Sequence, residues 1–499
     1  MRGQDVKRAV LIASILGSGI VFLDQTIVNV ALPAIRSSLH GSLADQQWVV
    51  EGYLLTLAAL LLLGGSLGDV LGRRRVFIAG LIGFGACSLA CAVAPTAPFL
   101  IIARALQGMA GALLVPSTLA LIVDHYEPDE RGAAIGTWTA WTGVATVIGP
   151  VGGGALVEAA SWRWIFLINL IPVAVTVALL RRLPPDHPQA GRIDWIGGLL
   201  CVLGLGGPVF GLIEQARYGF GDPRVLIPLI GGFALLAGFL AWERRAPEPM
   251  MPLHLFAVRN FTVGNLTTLS VYGGLAVFTF FLVVFIQQVG GYTPLAAGLS
   301  LLPITLMMFA LSRRFGALAG RFGPRPFMSA GPIVAGAGLL LFARAGIKPS
   351  YPGVVLPGVL VFGLGLAATV APLTATVLGS VPARHSGLAS GTNNAVARVA
   401  GLLAIAVVGA AVSAGFTSRL EHDLARTRVS RAVVQSASRR PLVTSGPRTI
   451  HHALVDASIH AFRLGMVIAA ALVALGGLIA AVGIESSGHP RPQGSLPAP

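Results

Sequence analysis

The fold of this chain is decided by one short stretch, Gly65-Ser-Leu-Gly-Asp-Val-Leu-Gly-Arg-Arg-Arg75, which lies between two long apolar runs. Its glycines permit a tight turn. Its three adjacent arginines resist passage through a bilayer and are typical of cytoplasmic loops. The stretch therefore predicts a hairpin between two membrane-spanning helices, on the cytoplasmic side of the membrane.

The composition of the rest of the chain agrees with a membrane protein. Of its 499 residues, 55% are hydrophobic and 11% are charged, whereas soluble domains carry about 25% charged residues. A helix needs roughly 20 apolar residues to cross a bilayer, and runs of that kind recur between Ala9 and Gly483. They are too long and too uniformly apolar for barrel strands, so we predict an all-α polytopic membrane protein. The predicted spans lie near residues 9–33, 47–67, 76–95, 98–123, 133–157, 163–183, 194–214, 225–242, 261–287, 295–312, 327–345, 353–379, 392–415 and 463–484.

The net charge of +15 is distributed unevenly along the chain. In a soluble protein it would indicate a nucleic-acid partner, but here Lys and Arg concentrate in the segments on the N-terminal side of the membrane. That asymmetry sets orientation, so both termini are predicted to be cytoplasmic, and no nucleic-acid partner is expected. Two segments depart from the pattern: the mostly acidic loop 124–131, and the long basic segment 416–463, which would lie outside.

The chain also contains a faint internal repeat. Residues 67–75 resemble residues 318–325, and residues 131–136 resemble residues 385–391 at nearly the same offset. Two matches at one offset favour a duplication. The offset is longer than six helices require, and two additional spans between the halves account for the excess.

This repeat predicts three regions. An N-terminal six-helix bundle occupies residues 1–185, a linker region with two additional transmembrane helices occupies 186–255, and a C-terminal six-helix bundle occupies 256–499. Proline-rich polar stretches bracket the inserted pair. The polar segment 416–462 is predicted to be a long outer loop with some local helix.

Five further segments carry motifs in a fixed order. They are Leu23-Asp-Gln-Thr-Ile-Val-Asn-Val-Ala-Leu-Pro33, Arg104-Ala-Leu-Gln-Gly-Met-Ala-Gly111, Gly149-Pro-Val-Gly-Gly-Gly154, Trp162-Arg-Trp-Ile-Phe-Leu-Ile-Asn169 and Gly291-Tyr-Thr-Pro-Leu-Ala-Ala-Gly298. Together with the hairpin at 65–75 they resemble the fourteen-helix drug:proton antiporter branch of the major facilitator superfamily. The resemblance implies the major facilitator fold: two six-helix bundles plus two inserted helices, fourteen transmembrane helices in all.

The resemblance also implies a function. Proteins of this branch are secondary transporters of the cell membrane that export hydrophobic compounds, cations among them, in exchange for protons. Two bundles rock around a midplane cavity and expose it to each side in turn. The expected partners are a small hydrophobic substrate, protons and the lipid bilayer, and the resemblance implies a monomer.

Three charged residues at membrane depth are candidates for proton coupling: Asp24, Arg104 and Glu51. A carboxyl group that titrates near neutrality can take a proton on one side and release it on the other, and Asp24 is the first choice for that role. Arg104 cannot lose its proton, so it needs an anion or a wet cavity. By resemblance the first and fourth helices line one cavity, which makes Asp24 its expected partner. Arg398 also lies at membrane depth, but no role is assigned to it.

The same positions define the predicted substrate cavity, which comprises Asp24, Asn29, Glu51 and Gln107. Structural alternatives remain open for each charged residue. Asp24 would be a structural acid if it were paired with Asn29 or Thr26, and Arg104 would be part of a structural ion pair. Glu51 would be an acid that reaches toward the outer interface instead of a second proton site.

Two glycine-containing motifs are expected to control the movement of the bundles. The resemblance implies that the hairpin is a cytoplasmic gate, formed by Gly65, Asp69, Gly72, Arg73, Arg74 and Arg75. This chain has Val70 where the family usually has a basic residue. The fifth-helix antiporter motif comprises Gly143, Gly149, Pro150, Gly153 and Gly154. Its small residues permit close helix packing and its proline permits a bend.

No motif indicates catalysis or a cofactor. The chain lacks a Gly-x-x-x-x-Gly-Lys-Ser/Thr phosphate loop and any clustered His/Cys metal spacing, so no enzyme activity, catalytic residue, cofactor or metal is expected. Three alternatives remain beside a multidrug exporter: a dedicated exporter of one natural product such as an antibiotic, an importer on the same fold, and a membrane enzyme or receptor.

Overall fold

The computed structural model of the protein describes residues 3–181, 193–247, 253–381, 386–425 and 448–485, together with the single positions 249, 251, 437 and 442. All regular secondary structure in these residues is helical. The α-helices are α1 (Gly3–Leu39), α2 (Leu43–Leu71), α3 (Arg73–Ala92), α4 (Ala97–His125), α5 (Pro128–Ala159), α6 (Trp164–Leu167), α7 (Leu170–Arg181), α8 (Trp195–Tyr218), α9 (Pro223–Glu243), α10 (Arg259–Gln288), α11 (Pro294–Phe322), α12 (Arg325–Leu341), α13 (Leu356–Gly379), α14 (Ser386–Leu424) and α15 (His451–Gly483).

Most of these helices have the length and composition of membrane spans. Among the described residues, 13 helical segments are long and apolar enough to cross a membrane, with α6 and α7 together forming one of them. The 29-residue helix α2 is the remaining long helix and links two of those spans. The predicted all-α polytopic membrane fold is confirmed.

The hairpin between α2 and α3 turns at a glycine. The backbone of Gly72 has φ of 99°, and its N–H donates to the carbonyl of Gly68 at 3.0 Å. The turn between α11 and α12 uses Gly323 in the same way, with φ of 84°. Residues with a side chain rarely adopt such angles, so both related turns depend on glycine.

The helices of the N-terminal half are in backbone contact. α1 packs against α4, α5 and α7, and α2 lies along α4. A methyl group added at Gly64 would lie 2.2 Å from the carbonyl oxygen of Ala112, and one added at Gly108 would lie 2.3 Å from that of Tyr53. Small residues thus allow α2 and α4 to approach closely, as helices in a bilayer commonly do.

The C-terminal half and the inserted pair complete the molecule. α10 packs against α14 and α15, while α12 packs against α13 and α15. The inserted helices α8 and α9 pack on each other, and α8 contacts both α2 and α14. Trp48 joins α2 to α8, because its indole N–H donates to Oε1 of Glu214 at 3.0 Å.

The segment 416–462, predicted as an outer loop with some local helix, is helical at both ends. α14 continues to Leu424, and α15 begins at His451. Phe416, Leu420 and Leu424 follow one another at four-residue spacing and are all buried, so an apolar stripe continues the helix between polar neighbours. Most of residues 426–447 lie outside the described part of the chain, as do 182–192, so the domain boundary at 185 stays a prediction.

Candidate functional site

A buried ion pair joins α1 to α4. Asp24 of α1 is 0% exposed, and Arg104 of α4 is 1% exposed. Nη1 of Arg104 donates to Oδ2 of Asp24, and its Nε donates to the carbonyl oxygen of Val49 at 3.0 Å. The guanidinium also lies 4.1 Å from the ring centre of Tyr53. The pairing expected for Arg104 is therefore present.

The second oxygen of Asp24 accepts two more hydrogen bonds. Nε2 of Gln107 lies 3.1 Å from Oδ1, and Nδ2 of Asn169 lies 3.0 Å from it. Both amides also donate to Oγ of Ser88, at 2.8 Å and 3.3 Å respectively. Three N–H donors around one carboxyl group match an ionised carboxylate, which can only accept.

Two members of this cluster carried no predicted role. Asn169 lies in the turn between α6 and α7, and Ser88 lies in α3. Asn169 is the last residue of a family motif, and a polar side chain in an otherwise apolar span is the signal that could have identified both residues. The structure assigns Asp24 different partners from those weighed in the structural alternative, because Thr26 donates to carbonyls of its own helix.

Glu51 lies apart from this cluster. It is 0% exposed, and neither of its carboxylate oxygens has a hydrogen-bond partner among the described residues. The alternative in which Glu51 reaches the outer interface is therefore wrong for this conformation. One turn earlier, Nε2 of Gln47 donates to the carbonyl oxygen of Ile405 in α14, at 3.3 Å. Asn29, also predicted for the cavity, is half-buried, and its Oδ1 has no partner in the described part of the chain.

The fifth-helix motif contacts both halves of the molecule. On one face of α5, a methyl group added at Gly149 would lie 2.0 Å from Oγ1 of Thr26 in α1, and one at Gly153 would lie 2.4 Å from Ile27. On the other face, a methyl group at Gly154 would lie 2.5 Å from the carbonyl oxygen of Pro294. The small residues of α5 thus allow it to pack closely against α1 on one face and α11 on the other.

The contact between α5 and α11 is reciprocal. A methyl group added at Gly298 of α11 would lie 2.1 Å from the carbonyl oxygen of Pro150. Gly143 is different, because an added methyl group would meet nothing within 4 Å. Close packing therefore supports four of the five predicted motif positions and gives Gly143 no such role.

The arginines of the hairpin make contacts inside the N-terminal half. Nη1 of Arg73 lies 2.5 Å from Oδ1 of Asp124 in α4. Nη2 of Arg74 donates to the carbonyl oxygen of Arg181 at 3.3 Å. The side chain of Asp69 lies outside the described part of the chain. A gate role for this hairpin remains a prediction.

Hydrogen bonds between the halves cluster near the α1–α2 turn. Nε2 of Gln287 donates to the carbonyl oxygen of Val30 at 2.9 Å, and Nη1 of Arg36 donates to Oε1 of Gln288 at 3.2 Å. The backbone N–H of Leu295 donates to Glu158 at 3.4 Å. These bonds join the end of the molecule that the charge pattern predicts to face outside.

Comparison with known protein families agrees with this architecture. The family model for the Major Facilitator Superfamily matches residues 14–405. The chain belongs to the major facilitator superfamily. Most of both halves lies within the matched region.

Curated members of the superfamily include several similar exporters and resistance proteins. The tetracenomycin C resistance and export protein of Streptomyces glaucescens is 36% identical over 80% of this chain and 74% of its own length. The puromycin resistance protein of Streptomyces alboniger is 33% identical over 97% of this chain and 93% of its own length. Multidrug resistance protein Stp of Mycobacterium tuberculosis is 34% identical over 83% of this chain and 78% of its own length.

Solved major facilitator structures share the fold. An inward-facing, unoccupied bacterial homologue of the human lysosomal transporter Spinster has a TM-score of 0.69 at 15% identity, covering 96% of this chain and 97% of its own. A D-xylose–proton symporter has a TM-score of 0.58 at 14% identity, covering 96% of this chain and 98% of its own. This chain is a multi-pass efflux transporter of the drug and antibiotic resistance type, which confirms the predicted family and transport class.

Proposed function

We propose that this major facilitator transporter exchanges entering protons for an outgoing hydrophobic compound, and that Asp24 carries the coupled proton. The observation that supports this proposal is the buried carboxylate with three N–H donors from α4 and the turn before α7. A change in the charge of a side chain that contacts several helices alters the hydrogen bonds of all of them.

A proton on Asp24 would change the site in two ways. It would cancel the charge that holds Arg104, which cannot itself lose a proton. It would also place an O–H where three N–H groups now donate, so at least one of the bonds from Arg104, Gln107 and Asn169 would be lost. The ion pair and hydrogen bonds between α1 and α4 would weaken. The free energy of proton entry would then favour a different packing of the two helices.

Glu51 is proposed as a second acid in the cycle. Burying an unpaired ionised carboxylate costs several kcal/mol, so these surroundings tolerate the neutral acid. A conformation that opens the α2–α14 contact near Gln47 would wet this side chain and allow it to exchange its proton. The contacts of α5 with α1 and α11 would seal the outer end in the present conformation, and the hairpin at 65–75 would act at the inner end.

The rest of the proposal concerns location and assembly. The protein acts in the cell membrane with both termini in the cytoplasm, and it works as a monomer in contact with lipid. It is a transporter without enzyme activity.

A dedicated exporter of one natural product is the second candidate. Several relatives have names that refer to single compounds, among them tetracenomycin C, puromycin, actinorhodin and methylenomycin A, while another is named for multidrug resistance. Growth inhibition across a panel of compounds separates the two candidates, because protection against one chemical class alone supports the dedicated exporter.

Dye efflux tests the coupling proposal. Cells expressing the wild type, Asp24→Asn or Asp456→Asn at equal abundance are loaded with ethidium, and efflux is followed with and without a protonophore. Asp456 is exposed near the start of α15, so its variant controls for the loss of one carboxylate. We expect efflux to be lost in Asp24→Asn and in protonophore-treated cells, and to survive in Asp456→Asn.

Two other results would change the proposal. Protonophore-sensitive efflux that survives in Asp24→Asn would move coupling to another acid, and Glu51→Gln would be tested next. A wild type that exports no ethidium would favour the dedicated exporter, and the same variants would then be assayed with the compound identified by the growth panel.

A further inference from the structure

A second buried arginine lies beside the proton site. Arg398 of α14 is 8% exposed, and its Nη1 donates to Oε1 of Gln25 in α1 at 3.3 Å. Its guanidinium carbon lies 5.6 Å from the ring centre of Phe22. Because Gln25 follows Asp24 directly in α1, Arg398 lies at the depth of the proton site but comes from the other half of the molecule.

Arg398 differs from Arg104 in having no anionic partner in the described part of the chain. None of the ion pairs among the described residues includes Arg398. A guanidinium has five N–H donors, and the neutral amide of Gln25 uses one of them. An arginine at membrane depth requires an anion or a water-filled cavity. The remaining N–H donors of Arg398 can therefore bind an anion that comes from outside the protein.

The other charges near this position do not offset it. Asp24 and Arg104 neutralise each other. Both carboxylate oxygens of Glu51 are closed off from solvent in this conformation, so they cannot contact a substrate. Among the charged residues described near this position, Arg398 therefore keeps some exposure and an uncompensated positive charge.

The surface of α1 opposite Arg398 suits an aromatic compound. Phe22, Gln25 and Asn29 are all partly exposed, and their spacing places them along one face of the helix. Phe22 offers a ring for apolar or stacking contact, whereas Gln25 and Asn29 offer amides for hydrogen bonds.

We propose that Arg398, Gln25 and Phe22 form a substrate subsite for aromatic compounds that carry an anionic oxygen group, either a carboxylate or a phenolate. The guanidinium binds the anionic oxygens through charge-assisted hydrogen bonds, and the Phe22 ring packs against the aromatic part. This subsite rests on the proposed export function and specifies the substrate class. It adds anionic aromatic compounds to the hydrophobic substrates, cations among them, that the family resemblance implies.

Equilibrium binding of two matched dyes tests the subsite. Fluorescein and rhodamine 123 share a xanthene ring system, but at neutral pH fluorescein is an anion and rhodamine 123 is a cation. Each is titrated by fluorescence anisotropy against the full-length transporter in nanodiscs, without any ion gradient. We expect the wild type to bind fluorescein more tightly than rhodamine 123.

The variants identify the residue responsible. Arg398→Gln is expected to weaken fluorescein binding by about tenfold or more, since a hydrogen bond to a charged group contributes that much. Binding of rhodamine 123 should stay within about twofold, because a cation accepts no charge-assisted hydrogen bond from the guanidinium. Arg398→Lys should retain part of the fluorescein affinity. Arg245→Gln removes the same charge from an exposed position after α9 and should change neither affinity.

The proposal is overturned if the wild type does not prefer fluorescein, or if Arg398→Gln weakens both dyes equally or neither. Thermal unfolding identifies a variant that fails to fold. If Arg398→Gln fails, the single variants Arg398→Lys and Gln25→Ala are titrated in its place. A failure of proton coupling would leave these binding results unchanged, because the assay uses no gradient.

Discussion

At the residue scale, the environment of Asp24 shows how a carboxylate is kept in the interior of a membrane bundle. Its oxygens accept from Arg104, Gln107 and Asn169, two of which lie in α4 and the third in the turn before α7. The donors are themselves held, since both amides also contact Ser88. Such a network fixes the geometry of the ion pair, and the loss of one member leaves buried polar groups unsatisfied.

This reasoning predicts the effect of Asn169→Ala. Removing the amide takes one donor from Oδ1 of Asp24 and one from Oγ of Ser88, which should lower the free energy of unfolding by about 1–3 kcal/mol. We expect a lower midpoint of thermal unfolding in detergent and slower efflux. Asn394→Ala is the control, because Asn394 is exposed and donates only to Ser390 in its own helix. Equal midpoints for the two variants would contradict the predicted role of Asn169.

At the element scale, α5 is one of the helices through which the two halves are in contact. Its glycines face α1 at Gly149 and Gly153, and its Pro150 and Gly154 face α11. On the α11 side the nearest atoms are backbone carbonyl oxygens, whereas on the α1 side they are side-chain atoms of Thr26 and Ile27. Neither α5 nor α11 can therefore move along the other without losing this fit. A change in the α5–α11 contact is therefore expected to alter the balance between outer-closed and outer-open conformations.

Gly298→Ala tests that expectation. The new methyl group would lie 2.1 Å from the carbonyl oxygen of Pro150, so the two helices must separate. We expect spin labels at the outer ends of α5 and α11 to report a larger mean distance in the variant. Gly143→Ala is the matched control, because a methyl group there meets open space. An unchanged distance in Gly298→Ala would show that the α5–α11 contact does not hold the outer end closed.

At the scale of the whole molecule, the charge pattern predicts which end faces the cytoplasm. Arg75 lies at the hairpin end and Asp456 lies near the start of α15, and both are exposed. We expect a membrane-impermeant maleimide to label Asp456→Cys in intact cells, and to label Arg75→Cys only after the cells are permeabilised. Cys87, Cys91 and Cys201 are first replaced by alanine. Labelling of Arg75→Cys in intact cells would reverse the proposed orientation.

The position of the inserted pair is also a property of the whole molecule. α8 contacts α2 of one half and α14 of the other, with bonds from Trp48 to Glu214 and from Gln215 to the carbonyl oxygen of Ala410. The sequence placed these two helices between the bundles in chain order. That order does not say which helices they touch, because a membrane-spanning pair can pack on any face of the bundles.

Much of this protein was determined by its sequence alone. Long apolar runs can only cross a bilayer as helices, so the spans followed from composition. The positive φ of Gly72 and Gly323 followed from the need for a glycine in a tight turn. The apolar stripe through Phe416, Leu420 and Leu424 is also present in the sequence. Polar residues separate its members, so the predicted span ends at residue 415, before this stripe.

Apart from the Asp24–Arg104 pair, which the family resemblance implied, only the tertiary structure decided which side chains meet. Asn169 lies 145 residues from Asp24 in the chain, and Arg398 lies 373 residues from Gln25. Hydropathy gives the depth of a residue, but not the rotation of its helix or the neighbour it faces. Those are set by the close approach of small residues on adjacent helices. The same packing leaves both carboxylate oxygens of Glu51 without a hydrogen-bond partner among the described residues, which hydropathy could not predict.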